Sequence, residues 1–331
     1  MREMTTGPAL RGAALLSLAA LALTSCGTTE VEDSAEDQSS DSGPITVTDY
    51  SGEEITLDGP AQRVVTLEWA PTENVEVLGG ELVGVADVEG YNAWSGAAPI
   101  SEDTTDVGLR TEPSLEAIGQ ADPDLILGVE ESVPDGLRED LEEIAPVVLQ
   151  SSGNTEDPVG HMQENFEMTA ELLGAQEQAE EVWADYEQAV EEARSAVEEA
   201  GAEGTPFVLV YGTVEGNTAT FRMHGPGALA MTLGEEIGLE PAWEDEGDEA
   251  FAISQADVEG LTELPEDTVF YYWTVESEPE NPFEPLESNS VWTGLGFVEN
   301  EAMHPVEQVW IYGGPASAAQ WTELLAETIT G

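Results

Sequence analysis

The middle of the chain constrains the fold most. From Pro158 to Ala200 nothing reads as a strand, while short β-prone runs recur on both sides. A first piece, 158–173, stops before Gly174. A second, Glu177 to Ala200, sets Val182, Tyr186, Ala189, Ala193 and Val197 along one face at helical spacing. Twenty-four residues at a helical rise give a rod of about 36 Å. Gly201 and Gly204 end it and Pro206 opens the next strand. A rod of that length between two strand-bearing halves predicts a rigid connector.

Before the rod, strands are expected at Val64–Glu68, Leu82–Ala86, Leu125–Val129 and Val147–Gln150. After it they are expected at Phe207–Tyr211, Val269–Trp273 and Val309–Tyr312. Helical stretches fall near 72–79, 113–120, 135–144, 227–237, 255–263 and 316–329. Alternating strand and helix predicts an α/β protein with parallel sheets. The expected organisation is an N-terminal lobe over 44–155, a linking helix over 156–203 and a C-terminal lobe over 204–331.

The first residues address the chain. Arg2 and Arg11 precede an apolar run from Ala13 to Leu23, which ends in Thr24-Ser25-Cys26. About 11 apolar residues suit the core of a signal peptide and not a membrane span. Residues 1–25 therefore read as a signal peptide, and the segment matches a bacterial lipobox. That match implies lipidation of Cys26, the only cysteine in the chain, so no internal disulfide is possible. Residues 26–43 are acidic and nearly devoid of apolar side chains, which predicts a disordered tether.

Charge excludes whole classes. The chain carries 70 acidic residues against 7 arginines, with no lysine and a net charge of −63. Nucleic acid and anionic membrane surfaces are not partners for such a field. The composition predicts a solvated acidic surface of the salt-adapted kind. Behind the leader only Arg63, Arg110, Arg138, Arg194 and Arg222 remain, so each surviving arginine is expected to have a specific role.

In open α/β lobes, ligands sit beyond the carboxyl ends of the strands. Aromatic residues recur there: Trp69 after the first strand, Tyr91 and Trp94 after the second, and Trp243 in a loop of the second half. Trp273 ends a strand, and Trp310 and Tyr312 are expected on the last one. The set reads either as core filling or as a shared aromatic wall for a large, partly apolar ligand.

PAQRVVTLEW (60–69), LGGELVGVAD (78–87), GYNAW (90–94) and DVGLRTEPSLE (106–116) resemble the iron–siderophore-binding lipoproteins of ABC importers. Within that family the likeness is to the ferric hydroxamate branch. LEPAW (239–243) and QVWIYG (308–313) anchor it further on. The resemblance implies two Rossmann-like lobes joined by a single long α-helix, a shallow aromatic cleft and a monomer. Its implied partners are a ferric siderophore, an ABC permease with its ATPase, and the membrane through a lipid anchor.

Residue by residue, Trp69 and Trp94 fall on pocket aromatics of the first lobe, and Trp243, Trp310 and Tyr312 on those of the second. Arg110 falls on the arginine that hydrogen-bonds the chelating oxygens. A structural pairing of Arg110 with Glu112 or Asp106 is the competing reading. Arg222 precedes Met-His-Gly-Pro-Gly, near the cleft in the family. Permease docking maps to Glu116 in the first lobe and to Asp257 or Glu259 in the second. One departure stands out. Relatives carry a tyrosine after the strand matching 125–128, where this chain has Val129-Glu130-Glu131-Ser132. The chelate type is therefore left open.

No GxSxG elbow, P-loop or HExxH is present. His161, His224 and His304 lack metal-ligand spacing. Neither an enzyme nor a resident metal or cofactor is expected. The alternatives left open are a cobalamin or haem receptor on the same fold, and a cell-surface enzyme or adhesin that reuses it.

Overall fold

The computed structural model describes residues 43–134, 136–215, 218–275 and 282–331. The leader, Cys26 and nearly all of the tether lie outside them. A hairpin of β1 (Ile45–Thr48) and β2 (Glu54–Leu57) precedes the first lobe. That lobe runs β3 (Val64–Thr66), α1 (Trp69–Val77), β4 (Leu82–Val85) and α2 (Val88–Trp94). A short hairpin of β5 (Gly108–Leu109) and β6 (Glu112–Pro113) follows, then α3 (Leu115–Ala121), β7 (Leu125–Val129), α4 (Leu137–Glu142) and β8 (Val147–Gln150). The main sheet has the order β4-β3-β7-β8 and is parallel throughout. β3, β7 and β8 are buried on both faces and are mostly apolar, while the edge strand β4 is half-buried at Leu82 and Val83.

Two helices carry the chain onward, α5 (Pro158–Leu173) and α6 (Gln176–Ala200). Asp157 caps α5 by accepting from the amide of Gly160, and Pro158 occupies its first turn. Gly174 and Gly201 close the two helices in the left-handed region, at φ 67° and 68°. Along α6, Ala179, Tyr186, Ala189, Val190, Ala193 and Val197 are buried, which matches the stripe expected from the spacing except at Val182, which is half-buried.

The second lobe holds β9 (Pro206–Glu215), β10 (Thr218–His224), α7 (Leu229–Glu236), β11 (Glu240–Pro241), β12 (Ile253–Ala256) and β13 (Val269–Thr274). It ends with α8 (Gly296–Glu299), β14 (Met303–Glu307) and α9 (Pro315–Thr330). Its mixed sheet has the order β12-β10-β9-β13-β14, with β11 beside β9. Every strand of the first main sheet precedes residue 151 and every strand of the second follows 205. The chain therefore passes between the two sheets once.

Two expected elements take another form, and β1, β2, α2 and β10 are among those with no expected counterpart. The last strand is Met303–Glu307, not Val309–Tyr312. Pro305 argues against a strand at that place, but β14 is an edge strand paired only with β13, where a missing N–H is tolerated. Gln308 then takes φ 55° and turns the chain, so Trp310 and Tyr312 stand on a loop. The helix expected near 255–263 is β12 followed by a 3₁₀ turn at Gly260–Glu263.

The lobes share one apolar cluster, which runs from Trp69, Val85 and Tyr91 through Tyr186 and Val197 to Leu209, Tyr271 and Trp321. A polar clamp adds to it. Glu73 of α1 is fully buried and accepts from the amides of Gly314 and Ser317, at 3.0 and 2.9 Å, and from the Ser317 hydroxyl. These donors form the N-terminus of α9, where the helix dipole favours a carboxylate. Gly314 permits the approach: a Cβ there would lie 2.0 Å from Asn74 Oδ1.

Candidate functional site

Strand ends of both lobes converge on a cleft of about 390 Å³. From the first lobe, Glu68 and Trp69 follow β3, Trp94 closes α2 and Arg110 sits in the tight turn between β5 and β6. From the second, Tyr211 of β9 and Arg222 of β10 are cross-strand partners facing the same side. Trp273 lies near the end of β13. Phe251 comes from a loop pinned by Asp248, whose carboxylate accepts from the amides of Ala250, Phe251 and Ile253. Those three donors hold the Asp248 pKa below the usual carboxylate range against the burial that raises it. Trp310 and Tyr312 complete the wall.

The rings form one connected surface. Trp69 meets Trp310 edge-on at 4.6 Å and Trp94 meets Trp273 at 5.0 Å, so each contact joins the two lobes. Trp273, Trp310 and Tyr312 continue it at 5.1 to 5.7 Å. Such geometry gives aromatic attraction beyond simple burial and holds the wall rigid.

The polar groups are few. Arg110 lies 3.8 Å above the Trp69 ring and pairs with Glu68 at 2.7 Å. Neither Glu112 nor Asp106 takes it. Asp106 instead accepts from the amides of Val88 and Gly108 and shapes the hairpin. Glu68 also accepts from the Trp69 amide, so one carboxylate starts α1 and orients the arginine. Among the described residues Arg222 has no ion-pair partner, whereas Arg63, Arg110, Arg138 and Arg194 each have one. A guanidinium without a carboxylate partner in so acidic a chain is a ready donor for anionic oxygens.

Of the sequence-derived residues, Trp69, Trp94, Arg110, Arg222, Trp310 and Tyr312 come together in this cleft. Tyr91 and Trp243 do not. Tyr91 is fully buried and its hydroxyl donates to the Ala98 carbonyl at 2.7 Å. It sits on the inner face of the short helix α2, whose last residue, Trp94, faces the cleft. Trp243 belongs to the second lobe's own apolar cluster and donates to Ser254 Oγ. Its exposed edge lines a different, acidic groove. Trp273, one of the strand-end aromatics noted in the sequence, also lines the cleft, whereas Tyr211, Phe251 and Glu68 line it and were not assigned to it from sequence. The period-two alternation of β10, with Ala219, Phe221 and Met223 buried and Thr218, Thr220 and Arg222 exposed, was the available signal for its outward face.

Glu116 is exposed in the first turn of α3, which Ser114 caps. Asp257 and Glu259 are exposed beside the 3₁₀ turn of the second lobe. Asp257 accepts from the Gly260 amide, while the Glu259 side chain makes no capping bond.

Two α/β lobes, one crossing between their main sheets and an open aromatic cleft where strand ends meet define a two-lobe ligand-binding protein. Residues 64–303 match the periplasmic binding protein family, and the chain belongs to it. The iron(3+)-hydroxamate-binding protein of Escherichia coli is 27% identical over 269 residues, 81% of this chain and 87% of its own length. A probable siderophore-binding lipoprotein of Bacillus subtilis is 25% identical over 315 residues, 92% of each. Among solved structures, the siderophore periplasmic binding protein from the fuscachelin gene cluster of Thermobifida fusca has a TM-score of 0.63 at 28% identity. That match covers 82% of this chain and 96% of the other. The Fe3+–Desferal-bound siderophore-binding protein of Vibrio cholerae shares the fold at a TM-score of 0.71 and 24% identity, over 82% and 98%.

Proposed function

We propose that this protein captures a ferric siderophore outside the cell, of the hydroxamate class, and delivers it to the permease of an ABC importer. The carrying observation is the cleft itself: Trp69, Trp94, Trp273 and Trp310 form an apolar bed beside Arg110 and Arg222, one guanidinium from each lobe. A ferric chelate presents metal-bound oxygen anions and an organic shell, which suit the arginines and the rings respectively. Relatives named for siderophore binding support the same class of ligand.

Further parts of the reading rest on the sequence. Residues 1–25 are a signal peptide, Cys26 carries the lipid and 26–43 tethers a monomer to the outer face of the membrane. Glu116 and either Asp257 or Glu259 meet cations on the permease. The acidic surface suits a high-salt milieu. Titration with ferrichrome, ferric desferrioxamine B, ferric citrate, haem and cobalamin, followed by tryptophan fluorescence, tests the ligand. Quenching by a ferric hydroxamate at micromolar concentration or below is expected. Saturable binding of haem or cobalamin alone would refute it.

A further inference from the structure

Among the described residues that line the cleft are two cations, Arg110 and Arg222, and a single carboxylate, Glu68. Two contacts of Glu68 are structural. It accepts from the Trp69 amide at 2.8 Å and from Arg110 Nη1 at 2.7 Å. Both bonds end on Oε1. A glutamine carbonyl could accept both, so neither contact by itself requires a charge. Oε2 takes no hydrogen bond among the described residues, and the side chain keeps 17% of its surface open.

The charge therefore acts on the cleft itself. It offsets Arg110 at contact distance before any ligand arrives. The guanidinium lies 3.8 Å from the Trp69 ring and 5.4 Å from that of Trp310, so its free donors and the Glu68 carboxylate share one space. An anionic oxygen held by another edge of that guanidinium would stand within about 7 Å of the carboxylate. Charges at such range interact, and partly buried ones are screened little by salt. Arg222 has no ion-pair partner among the described residues and is left as the uncompensated charge of the cleft. Asp248 acts on Tyr312, but it does not line the cleft and accepts from three amides of its own loop.

Stoichiometry then sorts the chelates. Three hydroxamates, each a monoanion, neutralise a ferric ion. Three catecholates, each a dianion, leave three excess negative charges. The first kind asks for donors, which Arg110 supplies even while paired. The second asks for more positive charge than one uncompensated arginine brings. We propose that Glu68 is the charge filter of this cleft: by offsetting Arg110 and repelling anionic oxygens, it admits electrically neutral ferric chelates and rejects those with excess negative charge. The assignment rests on the reading of the cleft as a ferric siderophore site.

The test compares ferrichrome, a neutral tris-hydroxamate, with ferric enterobactin, a tris-catecholate, by tryptophan quenching. Sodium chloride at about 1 M screens the distant surface carboxylates and acts less on a partly buried pair. Wild type should bind ferrichrome about a hundredfold more tightly or better. Glu68→Gln, which keeps the accepting oxygen, should narrow that ratio about tenfold, mainly by tightening the tris-catecholate. Glu68→Asp keeps the charge on a shorter arm, so the ratio should stay near that of wild type even where both affinities fall. Glu112→Gln removes an equal charge from the exposed face of the same hairpin, away from the Arg110 pair, and should also leave the ratio unchanged. A purely structural Glu68 would change both affinities in proportion. An unchanged ratio in a Glu68→Gln protein that melts normally therefore overturns the filter. So does an equal shift in Glu112→Gln, or a wild type that binds the two chelates alike. Binding of neither chelate to wild type would instead refute the reading of the cleft, and the filter with it.

Discussion

Arg110 is held between two demands. Glu68 takes one of its donors and Trp69 lies under its plane, so the guanidinium is aimed before any ligand arrives. Arg110→Ala should weaken binding of a ferric hydroxamate by about ten- to a hundredfold with little loss of melting temperature, because the Glu68 pair is partly solvated and contributes little stability. Arg110→Lys should rescue little, since an ammonium cannot both stack and present a planar fork. Quench titrations with a parallel melt check this. Full affinity in a folded Arg110→Ala protein would leave Arg222 as the cation that matters. At this scale the sequence shows which residues have unusual chemistry more readily than which way they face. Trp69, Trp94, Trp310 and Tyr312 were legible as aromatics recurring beyond the expected strands, although Trp94 closes a helix and Trp310 and Tyr312 stand on a loop and not on the strand expected there. Trp243 follows the same pattern, yet its indole turns into the lobe's own core to reach Ser254. Glu68 stayed hidden as an apparent strand residue, although it is the N-cap of α1.

Between elements, the Glu73 clamp ties α1, which carries Trp69, to α9, whose preceding loop carries Trp310 and Tyr312. Glu73→Ala should cost roughly 2–4 kcal/mol by stranding several buried donors, measurable by denaturant unfolding. The pH dependence has a defined sign. Burial raises the Glu73 pKa above the ordinary value of 4.5, outweighing the hydrogen bonds that lower it. Just above that value the unfolded chain has released a proton that the folded state keeps, so the stability Glu73 contributes declines as pH rises through this window. Glu73→Gln should remove that decline. The difference between wild type and Glu73→Gln, measured from pH 4 to 8, should therefore change with pH, and a constant difference would show that Glu73 does not titrate there. Elements with strong periodicity were legible: α6 appears within one residue of its expected start. β14 was not, because Pro305 is permitted only by an edge position that no local pattern reveals. Nor was the clamp, whose partners are more than 240 residues apart.

Over the whole molecule, a net charge of −63 sets the conditions under which this fold is stable. Few cations offset it locally. Arg138 alone contacts Asp49, Glu53 and Glu142 at 2.8, 3.0 and 2.8 Å and pins the β1–β2 hairpin to α4. The remaining carboxylates repel one another across the surface. Their interactions reach about 10 Å at 0.1 M salt and about 3 Å at 1 M. Folding concentrates these charges, so screening should stabilise the folded state more than the expanded one. The melting temperature should rise steadily from 0.1 to 2 M sodium chloride, with potassium chloride giving the same curve, because screening depends on ionic strength and not on the cation. A curve that depends on the cation would point to ion binding, and a flat one would mean the carboxylates are too far apart to repel. The same field acts on the ligand. An anionic chelate such as ferric citrate meets repulsion before it reaches Arg110 and Arg222, so its association rate should increase with salt. Ferric desferrioxamine B, with its ammonium, should associate more slowly, and neutral ferrichrome should change little. Stopped-flow quenching with the three chelates at two salt concentrations would separate this long-range term from the contacts in the cleft, which salt screens far less.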